Sequence, residues 1–174
     1  MSLVRFRFNN HPQQVARRGA ADEIDDRATD PAVFAQLNDR FGFTLDVAAA
    51  AHNAKCPIYF TRETCGLSNL WLGRVWCNPP YSSIEPWVIK AWEEYRAAHA
   101  ELIVMLLPAN RTEQGWWQRH IEPARRTGEI SIEFLAGRMR FIKSGKDVVG
   151  PNERPPFGVC LAVWSRGAPA CNVI

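Results

Sequence analysis

The chain has 174 residues, 47% of them apolar and 22% charged, and carries a formal net charge of +3. That is the size of one domain, long enough to bury about 70% of the surface its unfolded form exposes, so neither disulfides nor a metal is needed to hold a core. The composition excludes collagen-like and low-complexity chains, and no uncharged apolar run approaches the roughly 20 residues of a membrane span.

The opening stretch, MSLVRFRFNNHPQQ, has no apolar segment of the kind a secretory signal carries. Residues 1–29 are polar, show no sustained period and are expected to form a lead without fixed structure. Asp30 and Pro31 then make a helix start, an N-cap followed by the residue best suited to the first helical position. Phe34, Leu37 and Phe41 repeat at helical spacing and Gly42 closes the helix. Phe43 to Ala49 predicts a short strand running into a turn, and Ala54 to Thr61 a second short strand. Residues 62–70 predict a loop.

Gly73 to Cys77 predicts a strand that runs directly into Asn78-Pro79-Pro80-Tyr81, where two prolines end any ladder. Ser82 and Glu85 have the spacing of a capping box. Ile84, Trp87, Val88, Ala91, Trp92 and Tyr95 then form one apolar helical stripe. Leu102 to Leu107 is apolar without alternation, the pattern of a strand buried on both faces. Strand, helix and strand in this order predict a βαβ unit and a parallel sheet.

Thr112 to Ile121 predicts a short helix in which only one of the adjacent Trp116 and Trp117 faces the core. Ile130 to Leu135 and Arg138 to Ile142 are expected to form a hairpin about Ala136-Gly137. Residues 143–157 predict a long loop, and loops of that length usually carry function or disorder. Gly158 to Trp164 predicts a last buried strand. The folded domain is therefore expected over 30–166, with a tail at 167–174.

Charge and cysteines narrow the chemistry. Residues 111–174 hold ten basic and six acidic side chains, so the positive excess lies in the last third, where a polyanion would bind. Arg138, Arg140, Lys143 and Lys146 concentrate there as a candidate DNA-backbone patch or, alternatively, as a solvated edge that discourages strand pairing. The five cysteines include no CxxC pair and are expected to be reduced thiols. Cys56, Cys77 and Cys160 sit in apolar runs and read as core residues. A zinc site from His52, Cys56, Cys65 and Cys77 fits no compact template, and no metal is expected.

The sharpest chemical signal is Asn78-Pro79-Pro80-Tyr81 at a strand end, since ligands of open α/β sheets bind outside the carboxyl ends of the strands. Asn78 and the Pro79 carbonyl offer two acceptors for the N–H bonds of an exocyclic amine, and Tyr81 offers a flat face for the ring that carries it. Asp46 reads either as a strand-end cap or as a cofactor ligand, and Asn53 as a turn residue or part of the same site.

This tetrapeptide resembles the [DNS]-P-P-[YFW] signature of methyltransferases acting on exocyclic amines. With FTLDVAAAAHNAKCPIYFT, VMLLPANRTEQGWW and PPFGVCLAVW, the chain over about 30–165 resembles the phage-type Dam DNA N-6-adenine methyltransferase family. The resemblance implies an α/β, Rossmann-like S-adenosylmethionine-dependent methyltransferase fold, compact, with a mostly parallel sheet flanked by helices. It implies methyl transfer from S-adenosyl-L-methionine to adenine N6 in double-stranded DNA, by a phage- or prophage-encoded enzyme in the bacterial cytoplasm. Carried over, Asn78, Pro79, Pro80 and Tyr81 are the catalytic loop. Asp46, Val47, Ala48 and Ala49 match the cofactor-binding turn, with Asn53 beside it, and Asp30 and Pro31 match the segment at the cofactor's methionine end. The chain departs from the pattern in having no glycine-rich F-x-G-x-G turn, and in having Cys65 where an acidic residue is expected. Related NPPY chemistry leaves methylation of a protein glutamine amide, methylation of cytosine N4, and an inactive DNA-binding module as alternatives.

Overall fold

The structure, a computed structural model, describes residues 27–137, 139, 141–143 and 157–166. Its main sheet has six strands in the order β3-β2-β4-β5-β8-β6, formed by β2 (Leu45–Asp46), β3 (Ile58–Tyr59), β4 (Gly73–Cys77), β5 (Ala100–Pro108), β6 (Ser131–Phe134) and β8 (Val159–Ser165). The pairings β3 to β2, β2 to β4 and β4 to β5 are parallel, whereas β8 runs antiparallel to both β5 and β6. The sheet is thus mostly parallel, as expected. β4, helix α2 (Glu85–Arg96) and β5 make the expected βαβ unit.

Alternation along the strands divides the core into two layers. Ile103, Met105 and Leu107 of β5 face one side with Cys160, Ala162 and Trp164 of β8, under α2, α3 (Gly115–His120) and α4 (Glu122–Thr127). Leu102, Val104 and Leu106 face the other side with Val159, Leu161 and Val163, under helix α1 (Pro31–Phe41). Cys56, Cys77 and Cys160 are buried and serve as small core residues. Among the described residues no helix is long and apolar enough to cross a membrane, and no cluster of ligating side chains could hold a metal ion.

Helix α1 forms as its sequence dictates. Asp30 accepts the Ala32 N–H at 2.8 Å, and Gly42 adopts the left-handed φ of 61° that ends the helix.

Four expectations are corrected. The hairpin about Ala136-Gly137 does not form, because β6 pairs with β8 instead. A strand as buried as β8 must satisfy the backbone groups on both of its edges, and β5 covers only one. Phe141–Lys143 forms β7, which pairs with β1 (Arg27–Thr29) in a separate two-stranded sheet, so the last three residues of the expected lead are ordered as a strand. Ser82 and Glu85 make no capping box: α2 begins at Glu85 after Ile84, without a side-chain cap, and Pro86 takes a first-turn position where its missing N–H costs nothing. Trp116 and Trp117 are both buried, at 8% and 1% exposure. They pack edge to face at 5.7 Å, and their ring N–H groups donate to Gln114 and Glu122. Helix α4 follows at once and covers the ring that a longer helix would expose; the sequence reading missed that second helix.

Candidate active site

The carboxyl ends of β2 and β4 place the chemistry-bearing residues together. Asp46 ends β2 and is 3% exposed. Its Oδ1 accepts the Ala48 N–H at 3.3 Å and its Oδ2 the Lys55 N–H at 3.0 Å, so the carboxylate closes the turn that follows the strand. Burial is the larger effect and lifts its pKa from 3.8 to about 6, against the lowering by these two hydrogen bonds and by the Lys55 charge. Burial likewise lowers the Lys55 ammonium, against the attraction of Asp46 and Asp30. Asn53 Oδ1 accepts the Ala50 N–H at 2.7 Å, which makes it a turn residue as well.

Asp46, Ala48, Asn53 and Asn78 line one polar cavity of about 30 Å³. Thr29 and Lys55, with Ala28 and Trp76, complete its wall. None of those four stands out in the sequence: Ala28 and Thr29 lie in the expected lead, Lys55 carries no motif, and Trp76 reads as a strand residue. The Thr29 hydroxyl is buried and has no hydrogen-bond partner among the described residues. A buried orphan hydroxyl beside a carboxylate and two amide side chains offers the cavity oxygen acceptors for a polar group, with Lys55 in the same wall. The cavity is partly open and, at about 10–15 Å³ for one water, admits a group of a few heavy atoms. The remainder of a larger ligand would lie outside it, along the strand ends.

The other expected residues stand apart from this cavity. Val47 is wholly buried in the core on the α2 side of the sheet. Ala49 donates its N–H to the Phe60 carbonyl at 3.0 Å and lines no part of the cavity. Asp30 and Pro31 adjoin Thr29 but also lie outside the lining, and the Asp30 side chain is used to cap α1. Arg138, Arg140 and Lys146 lie outside the described residues, and Lys143 is described only as the last residue of β7.

The turn after β2 is braced from behind. Gly66 packs so closely that a Cβ there would lie 2.0 Å from the Val47 carbonyl oxygen and 3.2 Å from the Trp87 ring. Trp71, wholly buried, donates its ring N–H to the Gly66 carbonyl at 2.7 Å and its main-chain N–H to Glu94 at 3.2 Å. Burial alone would raise the Glu94 carboxyl, but bonds from Lys90, His99 and Trp71 together hold it below the usual carboxylate range. Gly66→Ala is expected to cost about 1–3 kcal/mol, the range for overpacking a filled core. Urea unfolding measures this, and an unchanged midpoint would mean that the loop can retreat from Val47.

At the end of β4, Pro79 is buried, while Asn78, Pro80 and Tyr81 are half-buried. The Tyr81 ring meets Phe141 edge-on at 6.3 Å and Phe157 at a tilt, 6.0 Å away. Its hydroxyl is buried without a partner among the described residues, and burial pushes the phenol well above its ordinary pKa. Tyr81 is therefore neutral and held by apolar rings. The loop carbonyls are tied on the far side of the tetrapeptide. Ser83 N–H donates to Pro80 O at 3.1 Å, and Arg111 Nη1 to Tyr81 O at 2.6 Å.

Comparison with known proteins adds to this geometry. The family model described as DNA N-6-adenine-methyltransferase (Dam) matches residues 19–165. A DNA N-6-adenine-methyltransferase of Escherichia phage T1 is 34% identical over 137 residues, covering 70% of this chain and 56% of that protein. A DNA N-6-adenine-methyltransferase of Haemophilus phage HP1 is 41% identical over 66 residues, covering 37% of this chain and 38% of that protein. The chain thus spans 56% and 38% of the length of these two relatives. A solved structure from Pyrococcus horikoshii, whose assignment as an RNA methyltransferase is itself a proposal, aligns with a TM-score of 0.44 at 14% identity, over 84% of this chain and 82% of that one.

Proposed function

The chain belongs to the DNA N-6-adenine-methyltransferase (Dam) family, and from that premise we propose that it transfers a methyl group from S-adenosyl-L-methionine to the exocyclic N6 amine of adenine in DNA, in a phage or prophage setting. The observation that carries this reading is the convergence of Asn78 with Asp46 and Asn53 on one polar cavity at the strand ends. When bound, the cofactor supplies a methyl group on a sulfonium centre. Asp46, Asn53 and the Thr29 hydroxyl would hold its cationic end, and Val47, Ala48 and Ala49 shape the turn beneath it. Asp30 and Pro31 would act at one remove, by fixing the start of α1 beside Thr29.

The work of the protein is alignment and electrostatics. The amine nitrogen of adenine is a weak nucleophile, because its lone pair is spread into the ring. Asn78 and the Pro79 carbonyl would each accept one N–H bond, which favours a tetrahedral nitrogen and frees the lone pair. Positive charge gained by that nitrogen on methylation would lie beside these two oxygens. The surplus proton then leaves to water. The rigid backbone of Pro79 and Pro80 spares the loop any reorganisation in that step. A base inside a duplex must first leave the stack, and Tyr81 would restore about 1–3 kcal/mol of lost stacking.

The deciding experiment is incubation with tritiated S-adenosylmethionine and duplex DNA, followed by digestion to nucleosides. Label in N6-methyladenine is expected. Label in N4-methylcytosine would replace the substrate, and label only in protein would point to glutamine methylation. Binding of DNA without any transfer or cofactor affinity would leave a DNA-binding module.

Arg138, Arg140, Lys143 and Lys146 are our candidates for phosphate contacts. Each neutralised phosphate is expected to contribute about −0.9 to the slope of log affinity against log salt. Replacing Lys143 and Lys146 with Ala should weaken binding to all sequences alike and flatten that slope by up to about two units, as read by anisotropy across a salt series. Coincident slopes would place the DNA elsewhere.

A further inference from the structure

The geometry points to Arg111 as the residue that positions the Asn78–Tyr81 loop, an inference that rests on reading that loop as the site that accepts the amine. Arg111 lies beyond the carboxyl end of β5 and reaches across to the neighbouring strand end, where its Nη1 donates to the Tyr81 carbonyl at 2.6 Å. Its own turn is braced from three directions. Ala109 N–H donates to Gly158 O at 2.9 Å, Gln114 N–H to Arg111 O at 3.1 Å, and Gln118 Nε2 to Thr112 O at 2.6 Å. The guanidinium therefore leaves from a fixed base.

The segment it meets, Pro79 to Tyr81, offers few polar groups of its own. Pro79 and Pro80 have no N–H to donate to a neighbouring strand. The Tyr81 hydroxyl has no partner among the described residues, so apolar ring contacts alone hold that side chain. The start of the tetrapeptide follows directly on Cys77, which pairs with Met105 of β5, and the Arg111 bond ties its far end, at Tyr81, to the segment after β5. Arginine suits the task, because a bond from a charged donor is about twice as strong as a neutral one and the planar fork fixes its direction.

Removing this tie frees the peptide plane at Tyr81 to rotate, and with it the placement of the Tyr81 ring and the Pro79 carbonyl. Misplacement of about 1 Å costs roughly 100-fold in rate where alignment is the main catalytic effect. Of the residues lining the cofactor cavity only Asn78 belongs to this loop, at the end next to β4, whereas Arg111 meets the loop at Tyr81 and makes no described hydrogen bond to the lining. A positioning role therefore predicts a lower kcat with unchanged cofactor affinity.

The test uses the full chain with Arg111→Ala and Arg111→Lys. Hydrogen exchange of the Tyr81, Ser82 and Ser83 amides should speed up by about tenfold or more in Arg111→Ala, with β5 and the middle of α2 unchanged. The kcat should fall by about 10- to 100-fold, the dissociation constant for S-adenosylmethionine should stay within about twofold, and millimolar guanidinium ion should restore part of the rate. Unaccelerated exchange overturns the inference, as does acceleration with a normal kcat. Equal losses of rate and cofactor affinity without guanidinium rescue also overturn it, since they describe a bolt for the fold as a whole. If Arg111→Ala does not fold, Arg111→Lys carries the same comparison. A wild-type chain that methylates no DNA sinks the parent reading instead, and the exchange measurement then decides alone whether Arg111 holds the loop.

Discussion

Asn78→Ala is expected to lower kcat by about 100- to 1,000-fold, while cofactor affinity stays within a few fold. The magnitude is that of removing one aligned polar group that faces charge developing in the transition state, about 2.7–4 kcal/mol. Asn78 follows directly on the last residue of β4, whose Cys77 pairs with Met105 of β5, so its backbone is held by the sheet rather than by a free loop. The amide oxygen thus has a fixed origin and needs no ordering at the moment of reaction. An interaction made only in the transition state appears in kcat and not in ground-state binding. Single-turnover transfer to DNA, with cofactor affinity measured separately by calorimetry, separates the two. Near-normal single-turnover rates would remove Asn78 from the mechanism. A parallel loss of cofactor affinity would instead make it part of the cofactor wall, a role its place in the cavity also permits.

Much of this site is legible in the sequence because its position follows from strong local signals. A five-residue strand that runs into two prolines can end in only one place, and Asn78 therefore sits at a strand end. Asp46 is legible as the acidic residue in the short Phe43–Ala49 segment that runs from strand into turn. The alternation-free Leu102–Leu107 run identifies a central strand, and β5 is covered on both faces.

What is not legible is long-range pairing. β1 and β7 are three residues each and are separated by most of the chain, so neither has a periodicity that would announce its partner. Their pairing is what brings Thr29 to the cavity and Phe141 to Tyr81. The false hairpin has the same origin. Ile130–Leu135 and Arg138–Ile142 are close in sequence, and proximity favours a hairpin locally, but β6 pairs with the open edge of β8 over Ser131–Phe134 instead. Arg111 escapes a sequence reading as well. It is one of ten basic residues in the last third of the chain, and only the 2.6 Å contact with Tyr81 distinguishes it from the rest.

Asp46 ties the fold of this site to pH. Its carboxyl has an ordinary pKa of 3.8, raised to about 6 in the folded chain chiefly by burial. The folded state therefore binds a proton more readily than the unfolded state between these values. The contribution of this group to stability is greatest below about pH 3.8 and is lost as pH rises through about 6. A shift of roughly two units corresponds to about 3 kcal/mol, and at 3% exposure little solvent screening reduces it. Asp46→Asn removes the ionisation but keeps one oxygen to accept a backbone N–H, at a cost that does not vary with pH. The stability of the variant relative to the wild type should thus be about 2–3 kcal/mol more favourable at pH 7.5 than near pH 4. Urea unfolding of both proteins across that range measures the difference, in which the other titrating groups cancel. A flat difference would mean that Asp46 is well solvated in the folded chain. Cofactor binding should run in the opposite direction. A cationic ligand beside Asp46 favours the carboxylate, so affinity for S-adenosylmethionine should fall below about pH 6, by up to about tenfold per unit, and Asp46→Asn should abolish that dependence. If stability follows pH as expected while cofactor affinity does not, Asp46 closes the turn after β2 and takes no part in holding the cofactor.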